Sequence, residues 1–196
     1  MELELEILTR DRFHGMRYYV EIAGFDNVKI VDLEKLLRVA GKEKPAKVEV
    51  QFFDAKLVAT WEHLYFAAMN ALVAFKNREN ISKNLAMESL LYASAQRQIR
   101  KAVELMGIQP LSSSVAVLVI GKRPGDVKTE LSRISTYIDG RRDDTVLELS
   151  VEKMRLIQEA FQISETEFEA VAEEGGLEKA LVDLVTERMA LLTAMH

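Results

Sequence analysis

Between Lys83 and Lys101 the chain places Tyr92, Ser94, Gln96, Arg97, Gln98, Arg100 and Lys101 within a short span. These residue types suit one kind of chemistry, the holding of an anion or a nucleic-acid end. Guanidinium and ammonium groups neutralise phosphate, amides read base edges, and a phenol ring offers a stacking face. The spacing predicts a helix from about Ala95 to Met106 with Ser94 as its N-cap, the hydroxyl accepting from a first-turn N–H. Ile99, Ala102, Val103 and Met106 recur at i, i+3, i+4 and i+7 and form the expected inner face. Gly107 supplies a left-handed turn to end the helix. A helix N-terminus carries partial positive charge and free N–H groups. Gln96, Arg97, Gln98, Arg100 and Lys101, with Lys83 from the preceding connection, would ring it as an anion-receptive end. The same pattern also describes an amphipathic core helix with a solvated basic face.

Other chemistry is sparse. The three histidines, at positions 14, 63 and 196, form no local metal-ligand cluster, and there is no cysteine. No metal or cofactor is therefore expected. Gly121-Lys122-Arg123-Pro124-Gly125 lacks the spacing of a phosphate-binding loop, and no nucleophile elbow or dinucleotide fingerprint occurs. The remaining enzymatic reading is a small-molecule enzyme using His63 and a nearby carboxylate as acid and base. His63, Ala67, Asn70 and Ala74, at i, i+4, i+7 and i+11, would line such a site or simply allow close helix packing around a satisfied histidine.

The totals bound the rest. At 196 residues, with 48% hydrophobic and 29% charged residues, the chain reads as one globular, soluble domain over 1–196. A formal charge of −5 argues against gripping a long duplex, which needs a basic face, but permits a pocket for one strand end. The acidic, alternating N-terminus is the opposite of a signal peptide, and no apolar run is long enough for a membrane span. A cytoplasmic location is the expectation.

These segments need positioning elements. Leu3, Leu5 and Ile7 alternate with glutamates as a strand, and Arg17–Ala23 forms a second, ended by Gly24. Asp32 caps a short helix, and Ala46–Phe53 is a third strand. A long helix apolar nearly all round runs to about Phe75, and another spans Asn84–Ala93. Val115–Ile120 reads as a strand buried on both faces. Then come a helix bearing Val127, Leu131, Ile134 and Ile138, a short strand Thr145–Leu149, and a helix after Ser150. Ser164 and Glu167 make a capping box, and Gly175-Gly176 separates that helix from the last. The fold class is α+β, a small mixed sheet flanked by several helices.

The last helix carries two adjoining apolar stripes. One is Leu177, Leu181, Leu184, Leu191 and Met195; the other is Val182, Val185, Met189 and Leu192. Together they cover about 200° of the helix surface, against roughly 100° for one-sided burial. Either the helix is sandwiched within its own domain, or the second stripe binds another protein. Arg188 lies inside the arc and should be paired or near water.

Three stretches carry a resemblance: Ser94-x4-Ile99-x2-Ala102-x4-Gly107-Ile108 with Gln96-Arg97-Gln98 inside it, Asp54-Ala55-x2-Val58-Ala59-Thr60-x2-His63, and Asp143-Asp144-x-Val146-Leu147-Glu148-Leu149. Together they resemble the archaeal form of the small kinase-binding subunit of the KEOPS complex, known in animals as the PRPK-binding protein. The likeness extends from the strand before Asp54 to the C-terminal helix. Ala95 departs from it, standing where archaeal members carry glycine, and Tyr92 stands where a basic residue can occur. The resemblance implies a non-catalytic regulatory subunit of the machinery that makes threonylcarbamoyl-adenosine in tRNA. Such a subunit binds and activates a small atypical kinase/ATPase, here through Val182, Val185, Met189 and Leu192. It also helps recruit tRNA by its 3′ CCA end, here through Lys83, Tyr92, Ser94, Gln96, Arg97, Gln98, Arg100 and Lys101. A generic helical adaptor with no RNA role is the alternative.

Overall fold

The computed structural model describes residues 2–7, 16–41 and 48–194. Its centre is strand β4 (Val115–Gly121), whose seven residues are all buried. Side chains alternate across a strand, so Ala116, Leu118 and Ile120 face one core while Val115, Val117 and Val119 face the other. A run apolar at every position is what two buried faces require.

Around β4 the sheet order is β1 (Glu2–Ile7), β2 (Met16–Asp26), β4, β3 (Val48–Asp54), with the two-residue β5 (Arg141–Arg142) also pairing with β2. Every pairing among the described residues is antiparallel, where a mixed sheet was expected. Helices α1 (Leu33–Gly41) and α5 (Pro124–Ser135) cover one face. The other carries α2 (Trp61–Asn77), α3 (Leu85–Ala93), α4 (Ile99–Met106), α6 (Val151–Ala160), α7 (Glu165–Gly175) and α8 (Leu177–Ala194). The class is α+β, as expected.

Two local expectations change. Gly24 does not end β2; the strand runs through it to Asp26. A Cβ there would lie 2.5 Å from the Asp143 carbonyl oxygen, so the glycine admits the close approach of the 143–147 segment. Thr145–Leu149 is also not a strand. Asp144–Leu147 form a 3-10 turn, because the Asp143 carboxylate accepts from the Thr145 N–H (3.1 Å) and hydroxyl (2.6 Å), curling the chain locally. Asp144 fastens that turn to β2 by accepting from the Gly24 N–H at 2.7 Å. Burial pushes its carboxyl up, but the Arg142 guanidinium and the Gly24 N–H outweigh this and hold it below the usual carboxylate range.

Helix α2 crosses this core. Ala67, Ala68, Ala71 and Ala74 are buried along it, so the stripe of small residues serves close packing. His63 is fully buried within it. Its Nδ1 accepts from the Ala59 N–H at 3.1 Å, which leaves Nε2 to donate to the Ala93 carbonyl at 2.8 Å. Its ring meets Phe161 edge-on at 5.8 Å. Burial lowers its pKa from the ordinary 6.5 to about 4, despite the Ala93 bond, which acts the other way.

Between those two pH values the unfolded chain binds a proton at His63 and the folded chain does not. Its contribution is therefore complete above pH 6.5 and is lost as pH falls towards 4, by up to about 3 kcal/mol. Urea unfolding at pH 7 and 4.5 should show this loss. His63→Ala should lower stability at pH 7 by about 3 kcal/mol through two unsatisfied backbone groups and should flatten the pH dependence between 4 and 6.5. An unchanged pH profile in that variant would remove His63 as its source.

Candidate nucleic-acid and partner surfaces

The turn between α3 and α4 is built differently from the sequence expectation. Ser94 is not the N-cap of α4. It is the C-cap of α3, its hydroxyl donating back to the Leu90 (2.8 Å) and Leu91 (3.1 Å) carbonyls. The Gln96 N–H donates to the Leu91 carbonyl and the Ala95 N–H to that of Tyr92, the paired bonds of a Schellman motif. That motif needs a left-handed residue, and Ala95 supplies it at φ 50°. α4 then starts at Ile99, with Gln98 extended in the N-cap position but making no side-chain capping bond. Gly107 is not left-handed either, with φ −68°. Glycine is needed there because a Cβ would lie 2.6 Å from the Val103 carbonyl oxygen.

Starting α4 four residues later sorts the eight residues expected to touch RNA. Tyr92 and Ser94 are each only 1% exposed and belong to the interior, so neither a stacking face nor a free hydroxyl is on offer. Lys83 is exposed but sits at the other end of α3, about 14 Å away along the helix axis. It is held there by Asn84, which caps α3, and by buried Glu88, which accepts from the Ile81 (3.1 Å) and Ser82 (2.6 Å) N–H groups. The other five stay together. Gln96 is half-buried, while Arg97, Gln98, Arg100 and Lys101 are exposed around the α4 N-terminus. Ile99 joins them at 45% exposure, leaving Ala102 and Met106 as the buried anchors of the helix. Gln96, Lys101, Glu104, Leu105 and Ala160 border a shallow depression of about 300 Å³. Ala160 was not expected there, since only packing brings α6 beside α4.

The cations of this patch differ in freedom. Arg100 pairs with Glu104 at 2.7 Å, an exposed i,i+4 bridge contributing about 0.5 kcal/mol or less, which a phosphate can displace. Arg97 donates to the Leu192 carbonyl at 3.4 Å, one of the last-turn carbonyls that a helix cannot satisfy internally. The patch is thereby tied to the C-terminal end of α8.

Helix α8 resolves the choice posed by its two stripes. Val185, Met189 and Leu192 are buried with Leu181 and Leu184, and Val182 is half-buried against the same core. The helix is sandwiched within its own fold, because α2, α3, α6 and α7 pack around it. The second stripe, expected to meet the kinase, is turned inward, with only Val182 partly exposed. What α8 leaves open is Leu177 (55% exposed) at its start and Leu191 (48%) near its end. Arg188 is paired, donating to Glu167 at 2.6 Å. His63 has no exposed surface and both ring nitrogens occupied, so no substrate reaches it for acid–base chemistry. Among the described residues no His, Asp and Glu group is arranged to hold a metal, and no helix is long and apolar enough to cross a membrane.

The strained turn is itself testable. A left-handed non-glycine residue costs about 1–2 kcal/mol, and glycine returns part of that as unfolded-chain entropy. Ala95→Gly should stabilise the protein by about 1 kcal/mol in chemical denaturation. A lower midpoint would mean that the packing of the Ala95 methyl outweighs the strain.

These surfaces lie on a chain whose residues 25–193 match the profile of a family described as kinase binding protein CGI-121. It is also similar to the regulatory protein Cgi121 of Methanocaldococcus jannaschii, at 33% identity over 116 residues, 59% of this chain and 72% of that protein. The matched region takes in β3, the His63 helix, the α3–α4 turn and nearly all of α8. On that match the chain belongs to the CGI-121 family of kinase-binding proteins.

Proposed function

We propose that this chain is a non-catalytic regulatory subunit of a KEOPS-type tRNA-modification complex. It binds and activates the small atypical kinase/ATPase of that complex and presents the Gln96–Lys101 patch to the tRNA 3′ CCA end. The observation that carries the RNA half is local. On a chain of charge −5, Arg97, Arg100 and Lys101 gather with two glutamine amides at a helix N-terminus lacking a side-chain cap. Free N–H groups and adjacent cations receive a phosphate there, and the amides are placed to read base edges. A surface of this size suits a strand end rather than a duplex. The net acidity favours a second reading, an adaptor that binds the kinase and has no RNA role.

Binding of intact tRNA and of tRNA lacking its CCA tail separates the two. The proposal expects tail-dependent binding that weakens as salt rises. The pair Arg100→Glu and Lys101→Glu should reduce it by about tenfold or more without loss of stability, since both side chains are exposed. Equal affinity for both RNAs, or none for either, favours the adaptor. On the protein side, Val185→Asp should unfold the chain by burying a charge. It therefore reports on the core and not on the kinase, whereas Leu191→Asp should remain folded.

A further inference from the structure

A second cleft lies beside the 144–149 segment. It has a volume of about 570 Å³ and is bordered by the α2 N-terminus (Thr60, Trp61, Glu62), the 144–149 segment and Glu178 in the first turn of α8. Its lining holds four carboxylates, Glu62, Asp144, Glu148 and Glu178, and no basic residue. Arg142 neutralises Asp144, but no ion pair among the described residues engages Glu62, Glu148 or Glu178. The Lys153 ammonium donates to the Val146 (2.7 Å) and Glu148 (3.1 Å) carbonyls and interacts with the Glu148 carboxylate without a direct ion pair.

Two further features point to an occupant. Thr60 stands in the N-cap position of α2, where a hydroxyl normally accepts from the first turn. It makes no such bond, and its Oγ1 is buried with no hydrogen-bond partner in the structure. Beside it the half-buried Trp61 ring borders the cleft, edge-on to Tyr65 at 6.1 Å. An aromatic face attracts a cation, an unpaired hydroxyl oxygen accepts an N–H, and carboxylates without a direct ion pair attract positive charge. A planar guanidinium meets all three demands at once; an ammonium offers no matching fork. Leu177, the chain neighbour of Glu178, is also exposed.

We infer that this cleft is a docking site for an arginine side chain of the kinase partner, held by Glu62, Glu148 and Glu178, the Thr60 hydroxyl and the Trp61 ring. The inference rests on the kinase-binding reading and adds where one anchor of that interface lies. It also replaces the buried α8 stripe with a surface that a partner can reach.

Trp61 is the chain's sole tryptophan, so 5-fluorotryptophan labelling gives one fluorine resonance that reports on this cleft. Titrating the labelled full-length chain with the purified small kinase should shift that resonance at the same concentration that saturates binding. The double variant Glu148→Gln/Glu178→Gln, at exposed positions, should keep its thermal midpoint, bind the kinase at least about tenfold more weakly and lose much of the salt dependence. Thr60→Val should weaken binding several-fold beyond any change in stability, and Glu34→Gln, on α1 across the sheet, should have no effect. Normal kinase affinity in the double variant, or saturation with an unmoved fluorine signal, overturns the cleft and leaves the kinase reading standing. A wild-type chain that does not bind the kinase overturns both.

Discussion

The interaction on which the rest depends is the bridge made by His63. One ring, sealed from water, accepts the N–H of Ala59 at the entry to α2 and donates its Nε2–H to the carbonyl of Ala93 at the exit from α3. A last-turn carbonyl of α3 and a buried loop N–H before α2 are thereby paired inside the core. The bridge works only with a neutral imidazole in the Nε2–H tautomer, and burial keeps it neutral. Because Ala93 immediately precedes Ser94 and the left-handed Ala95, the histidine sets the place from which the exposed Gln96–Lys101 segment departs. A residue that resembles an acid–base catalyst in the sequence thus acts as an architectural one, positioning a surface it does not touch.

That arrangement explains how an acidic chain displays a small basic surface. The Schellman turn delays α4 by four residues, and the non-helical Gln96–Gln98 stretch leaves Arg97, Gln98, Arg100 and Lys101 exposed. Carboxylates concentrate elsewhere, around Thr60 and Trp61 and across the first turn of α8. Both surfaces adjoin α8: the basic one through the Arg97 contact with Leu192, the acidic one through Glu178. The C-terminal helix buries Leu181, Leu184, Val185, Met189 and Leu192 in internal packing, and that burial holds its ends beside both surfaces.

Much of this was legible in the chain. The apolar run at Val115–Ile120 required a strand with two buried faces, and Ser150, Ser164, Asp32 and Asn84 cap helices where such residues ordinarily do. The excess apolar arc of the last helix was real and called for contact on two sides. Its partners were not readable, because periodicity states how much surface must be covered and never by what. Ser94 misled for a related reason. Serine between two helical patterns can cap either helix, and the choice rests on whether its hydroxyl points backward to carbonyls or forward to N–H groups.

Local chemistry, then, determined which segments become helices and strands, the α+β class, the gathering of cations at Gln96–Lys101 and the absence of cysteine chemistry. These depend on neighbours a few residues apart, whose spacing the chain fixes by itself. The tertiary structure decided the antiparallel order β1-β2-β4-β3, the burial of Tyr92, Val185 and Met189, the separation of Lys83 from the basic patch and the convergence of Glu62, Glu148 and Glu178. Each of these is a relation between segments far apart in the chain. Such relations exist only once the two cores have closed on the faces of β4, because it is that packing which sets which side chains meet and which meet water.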